Sequence, residues 1–187
     1  MRFSGALLEA VQECRPARPD FFLRQGVHPC ALESDPAPHV GFPVLASRVA
    51  ITGAHRFEFE SLLQGDADFQ HALVIPARDE FGGVVDLVAW VPGRAGLASW
   101  SGRVCLLGEH WAHSSRLGEP LHVFPNALEW LKAGRRGVVV IEPHKAAILL
   151  HGVTLLVDDP AFGFELRNLL SIAPNIVVRA NALRRAA

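Results

Sequence analysis

The sequence predicts an α/β protein in two parts, an N-terminal α+β subdomain with an antiparallel hairpin sheet over residues 1–118 and a parallel β-α-β-α-β unit over 119–187. Three observations lead there. In the last third, apolar β-rich runs (GVVVIE, VTLLVDD, NIVVRA) alternate with helix-like segments (PHKAAILLHG, PAFGFELRNLLS), the pattern of strands joined by crossover helices. Before it, two β-rich runs flank RDEFGG in HALVIPARDEFGGVVDLVAW, the pattern of a hairpin. Hydrophobic residues make up 50% of the 187-residue chain and charged residues 20%, enough to bury a core without staples.

Taken in order, Ser4 to Glu13 reads as a helix capped by Ser4, with Leu7, Leu8 and Val11 on one face. Pro16 and Pro19 break it. Asp20 then caps a short helix, FFLRQ, which Gly26 stops. Residues 28–44 read as loop. VLASRVAI and HRFEFE alternate apolar and polar side chains as half-buried antiparallel strands do. The hairpin follows, and ASWSGRVCLLGE reads as one more strand of its sheet. The polar stretch 109–120 is read as a surface connection between the two parts.

LHVF is then a short strand. ALEWLKA is a helix opened by Pro125 and Asn126 and closed by Gly134. GVVVIE has the uninterrupted apolar character of a strand covered on both faces. Pro143 and Gly152 bound the next helix.

A net charge of -1 and a pI near 6.7 exclude a protein basic over its whole surface, and leave room for a local basic patch. The only basic clusters are Lys132, Arg135 and Arg136, and Arg179, Arg184 and Arg185. They read either as phosphate contacts or as a solvated face. Three cysteines with no CxxC spacing speak against a disulfide framework and for a reducing, cytoplasmic setting. No apolar stretch has the ~20 residues of a membrane helix, so no membrane partner is expected.

Ligands of open parallel sheets bind beyond the carboxyl ends of the strands. That rule selects Glu142, Asp158 and Asp159, either as Mg²⁺ ligands or as solvated acids and helix caps. His144 and Lys145 lie in the first turn of the helix after Glu142 and suit a phosphate or plain solvent. His110 and His113 share the spacing of two metal ligands, with no cysteine or third histidine close in sequence. Trp90, Trp100, Trp111 and Trp130 read as stacking platforms for bases or as core, Trp130 more as core. The chain has no P-loop, no dinucleotide-binding glycine fingerprint and no nucleophile-elbow serine motif.

The order of these pieces resembles the catalytic core of bacterial replicative primases. FFLRQGV at 21–27 is similar to that family's YLxxRGI-like segment, and HALVIPARDEFGGVVDLVAW at 71–90 to its glycine-rich hairpin. VIEPHKAAILLHG at 140–152 is similar to the first turn of the topoisomerase–primase (TOPRIM) subdomain. Together they cover almost the whole chain. The resemblance implies a TOPRIM-like C-terminal part, with Glu142 as general base or metal ligand and Mg²⁺ as cofactor.

The chain also departs from that pattern. His71 stands for the hairpin arginine, DLVAW for the glycine-rich end, and Pro143 for the glycine after Glu142. Ala146 falls near an expected acid, and Ala180 and Ala182 where the later acid pair belongs. One glutamate does not replace a set of carboxylates around a transferring phosphoryl group. The resemblance therefore implies a degenerate, non-catalytic relative, of phage or mobile-element origin, that binds single-stranded DNA or a replication protein. Lys132, Arg135, Arg136, Lys145, Arg179 and Arg184 are its candidate contacts. Two other readings stand: a small-molecule or nucleotide-binding enzyme using Glu142, His144, Asp158 and Asp159, and an interaction module without chemistry.

Overall fold

The structure, a computed structural model, describes residues 5–33, 44–63, 67–79, 81, 83–94, 96–115, 118–170 and 175–178. The proposed cap Ser4, the turn residue Gly82, and residues 179–187, with Arg179, Ala180, Ala182, Arg184 and Arg185, lie outside these.

The N-terminal part holds helices α1 (Gly5–Gln12), α2 (Pro19–Arg24) and α3 (Cys30–Glu33) and strands β1 (Arg15–Pro16), β2 (Leu45–Gly53), β3 (Arg56–Phe59), β4 (Phe69–Arg78), β5 (Val84–Trp90) and β6 (Ala98–Ser99). α3 falls in the stretch read as loop. Strand order is β1-β2-β3-β6-β5-β4, and β2 also pairs with β4. The hairpin sheet is therefore closed: β2, β3, β6, β5 and β4 form a ring, which removes free sheet edges. Every pairing in it is antiparallel except β3–β6, which is parallel and rests on one residue pair, Arg56↔Ser99.

Period-two alternation gives β4 and β5 two buried faces. Ala72, Val74, Leu87 and Ala89 share one core with Phe57, Phe59 and with Leu7 and Ala10 of α1. Ile75, Ala77, Val88 and Trp90, on the opposite faces, join a second core with Phe22, Phe124, Trp130, Leu131 and Val139. That second core welds the ring to the C-terminal layer.

The run ASWSGRVCLLGE is not one strand. It splits into β6 and β7 (Leu106–Leu107), which belong to different sheets. Asp86 causes the break. Its fully buried carboxylate accepts backbone N–H groups from Ser101 at 2.8 Å and Arg103 at 2.8 Å, besides Leu87 at 2.8 Å. Gly102, at φ 68°, turns the chain between them.

The polar stretch after β7 carries a helix, α4 (His110–Ser114), with Ala112 buried. Then follow β8 (Leu121–Phe124), α5 (Ala127–Lys132), β9 (Val138–Val140), α6 (Pro143–Leu149), β10 (Thr154–Val157), α7 (Pro160–Leu170) and β11 (Asn175–Val178). The sheet order is β11-β10-β8-β9-β7, with β8–β11 parallel and β7 antiparallel on β9. β7 precedes residue 118 in sequence and completes this second sheet. Leu121, Val123, Val138, Leu155 and Val157 pack under Ala146, Leu150, Leu166 and Leu170 of α6 and α7.

Candidate functional site

The first candidate site is the carboxyl edge of the parallel strands. Glu142 follows β9 and occupies the N-cap position of α6, where its side chain caps no N–H. Its carboxylate instead meets Lys145 Nζ at 2.8 Å and remains 28% exposed. Its N–H and that of Ile141 both donate to the carbonyl of Cys105, at 3.1 and 2.9 Å. Cys105 in turn donates its N–H to Glu109 Oε2 at 3.2 Å. Burial first, then Glu109, with a smaller contribution from Glu142, pushes the Cys105 thiol up to about 12.

Asp158 ends β10 and lies 3.0 Å from His122 Nε2. The His122 ring stacks on Phe124 with centroids 4.2 Å apart. Asp159 accepts the N–H of Ala161 at 2.9 Å and caps α7. β8 lies between β9 and β10, so Glu142 and the two aspartates stand two strand spacings apart, about 10 Å. Among the described residues, no group of three or more His, Cys, Asp or Glu is placed to hold a metal ion. Glu142, Asp158 and Asp159 are thus not grouped as three ligands of one ion, and His110 and His113 are not joined by a third such donor among the described residues.

The second candidate site is a cleft of about 390 Å³ between α3 and the end of α5, lined by His28, Cys30, Ala31, Lys132, Ala133, Gly134 and Arg136. The sequence LKAGRRG builds it. Gly134 N–H bonds Leu131 O and Arg135 N–H bonds Trp130 O, the double closure of a Schellman cap. Gly134 at φ 66° and Arg135 at φ 63° reverse the chain. This reversal sends two neighbouring arginines in opposite directions.

Arg135 turns inward and is 2% exposed. Its Nε donates to Ala31 O at 2.6 Å and its Nη2 to Leu32 O at 3.4 Å, while its own carbonyl accepts the Trp111 indole N–H at 2.9 Å. The expectation that Arg135 contacts nucleic acid is thus corrected: its guanidinium caps the carbonyls of α3 and ties together the two walls of the cleft. Arg136 turns outward and is exposed. Among the described residues no carboxylate pairs with it. Lys132 bonds Glu129 at 2.9 Å, and Lys145 is held by Glu142.

A third cleft, of about 360 Å³ on the barrel, is lined by Glu13, Arg15, Ala46, Ser47, Arg48, Glu60, Ser61 and His71. There Arg48 pairs with Glu60. Of the four tryptophans, Trp90 and Trp130 are buried, and Trp100 and Trp111 are partly exposed.

Sequence reasoning missed Glu109, His28 and His122. His122 meets Asp158 across a strand order that periodicity does not specify, whereas Glu109 and His28 meet Cys105 and Cys30 close by in sequence, through loop and turn geometry that has no period.

No protein-family model and no curated protein matches the chain. Among solved structures it is similar to one described as the crystal structure of the primase fragment of bacteriophage T7 primase-helicase protein, at 13% identity and a TM-score of 0.40. The match covers 62% of this chain and 55% of that one, about half its length. A likeness this faint transfers neither fold nor function. No helix among the described residues is long and apolar enough to cross a membrane.

Proposed function

We propose that this chain is a primase-core-like protein that binds single-stranded nucleic acid through its phosphates and does not add nucleotides. The observation that carries this reading is the α3/α5 cleft. It presents Arg136 without a neutralising acid, beside Lys132 and His28, and no carboxylate is among its lining residues. Phosphate contacts by such cations supply sequence-independent affinity. The parallel strands with Glu142 at the carboxyl end of β9 support a TOPRIM-like reading of the C-terminal layer. The separation of Glu142 from Asp158 and Asp159, and its engagement by Lys145, support the loss of metal-dependent polymerisation.

A labelled oligo(dT) titrated over a salt series, with and without Mg²⁺, tests this. Binding is expected at low salt, with log affinity falling linearly as log salt rises. Adding Mg²⁺ should change affinity only as extra salt does. Absence of binding at low salt contradicts the reading.

One observation favours a small-molecule site instead. β8 leads through α5 to β9 on one side, and β10 leads through α7 to β11 on the other. Their shared edge is thus a switch point of the sheet, and His122 and Asp158 meet there. A nucleotide that binds in a calorimeter and loses that binding in His122→Ala would support this second reading.

A further inference from the structure

The ring of strands carries a second cationic surface, around the turn that Asp86 holds. Arg56 begins β3 and is exposed. Its Nη1 donates to Trp100 O at 3.4 Å. Its guanidinium lies over Gly102, where a Cβ would come within 1.8 Å of Nη2. Arg103 closes the turn and is exposed as well. Neither arginine pairs with a carboxylate among the described residues. Arg56 is therefore positioned by backbone rather than neutralised by an acid.

Trp100, which leads into this turn, is half-buried. Its ring packs edge-on against Phe59 with centroids 5.9 Å apart, and its indole N–H donates to Glu58 at 3.1 Å. That bond sets the Glu58 carboxylate at the edge of the ring, so the two arginines share this surface with one acid. The turn is held from beneath by a carboxylate with no solvent exposure, which anchors two of its N–H groups. Burying a carboxylate is costly unless it is fully hydrogen-bonded, and these bonds hold the turn in one conformation. The result is a partly exposed aromatic ring beside a turn that carries two open guanidinium groups, the residue types by which sequence-tolerant single-strand binders hold a base and its adjoining phosphates.

We infer that Arg56, Trp100 and Arg103 form a second contact for the strand, with one base stacked on Trp100 and neighbouring phosphates on the two arginines. This rests on the nucleic-acid reading above. The test uses the full chain, an oligo(dT) probe, and the variants Arg56→Ala, Arg103→Ala and Trp100→Phe, with thermal melts to confirm folding. Each arginine variant is expected to weaken binding about five- to tenfold and to lower the salt slope by about one. Trp100→Phe keeps the Phe59 contact. It is expected to abolish most of the tryptophan fluorescence quenching that oligo(dT) causes in the unmodified chain.

If the unmodified chain and all three variants bind with one affinity, one slope and equal quenching while Arg136→Glu weakens binding, this contact is overturned and the α3/α5 cleft stands. If the unmodified chain binds no oligo(dT), both fall.

Discussion

The two halves of the molecule treat their charges in opposite ways. At the carboxyl edge of the parallel sheet Glu142 pairs with Lys145, Asp159 caps the first turn of α7, and Asp158 lies 3.0 Å from His122 Nε2 without a hydrogen bond between them. Around the ring of strands the buried acid Asp86 serves the backbone, while Arg56 and Arg103 are left open. Arg56, Arg103 and Arg136 have no carboxylate partner among the described residues.

Substitutions can break this contrast. Asp86→Ala should be the most damaging, because it leaves the buried N–H of Leu87 and the partly buried N–H groups of Ser101 and Arg103 without their acceptor. At about 1–3 kcal/mol for each unsatisfied group, urea denaturation should show a loss of several kcal/mol. Asp158→Ala, at a 45% exposed carboxylate, should cost less than about 1 kcal/mol by the same measurement. Equal losses at the two aspartates would erase the distinction.

Arg135→Ala should cost about 3 kcal/mol, since it strips buried carbonyls of a charged donor. Arg135→Lys should recover little, because an ammonium does not reproduce the fork of the guanidinium. Arg136→Ala should leave stability within about 0.5 kcal/mol.

Smaller effects sharpen the picture. Burial, then Glu13, raises the Cys14 thiol to about 11, opposed by a hydrogen bond with Ser47; Cys105 is raised to about 12. With folded values above the unfolded one, their contribution to stability is fully present below pH 9.0. It should be lost as pH climbs to about 11 and 12, because the unfolded chain then binds fewer protons. Urea midpoints measured upward from pH 8 should fall with pH, and a flat profile would contradict the burial of these thiols. Exposed Cys30 should react with a thiol reagent before Cys105 does.

Much of this architecture was legible in the sequence. GVVVIE, VTLLV and their Pro- and Gly-bounded helices announced the parallel layer, because a crossover strand must be apolar on both faces. The hairpin announced itself by its turn. Ring closure was not legible, because β2–β4 and β3–β6 join segments far apart in sequence and no local pattern specifies a distant partner. The split of ASWSGRVCLLGE was hidden for the same reason, since its cause, Asp86, lies in another strand.

The candidate site was legible only in outline. Glu142 falls at the expected edge, but whether Asp158 reaches it depends on β8 lying between them. Arg135 and Arg136 are chemically identical neighbours, and only the left-handed turn at Gly134 and Arg135 decides which is buried.

The most direct test is the salt dependence of oligo(dT) affinity for the unmodified chain beside Arg136→Glu. The charge reversal is predicted to weaken binding at least about tenfold at low salt and to flatten the slope of log affinity against log salt by one or more. Identical affinity and slope for the two proteins would contradict a phosphate-binding cleft at α3 and α5.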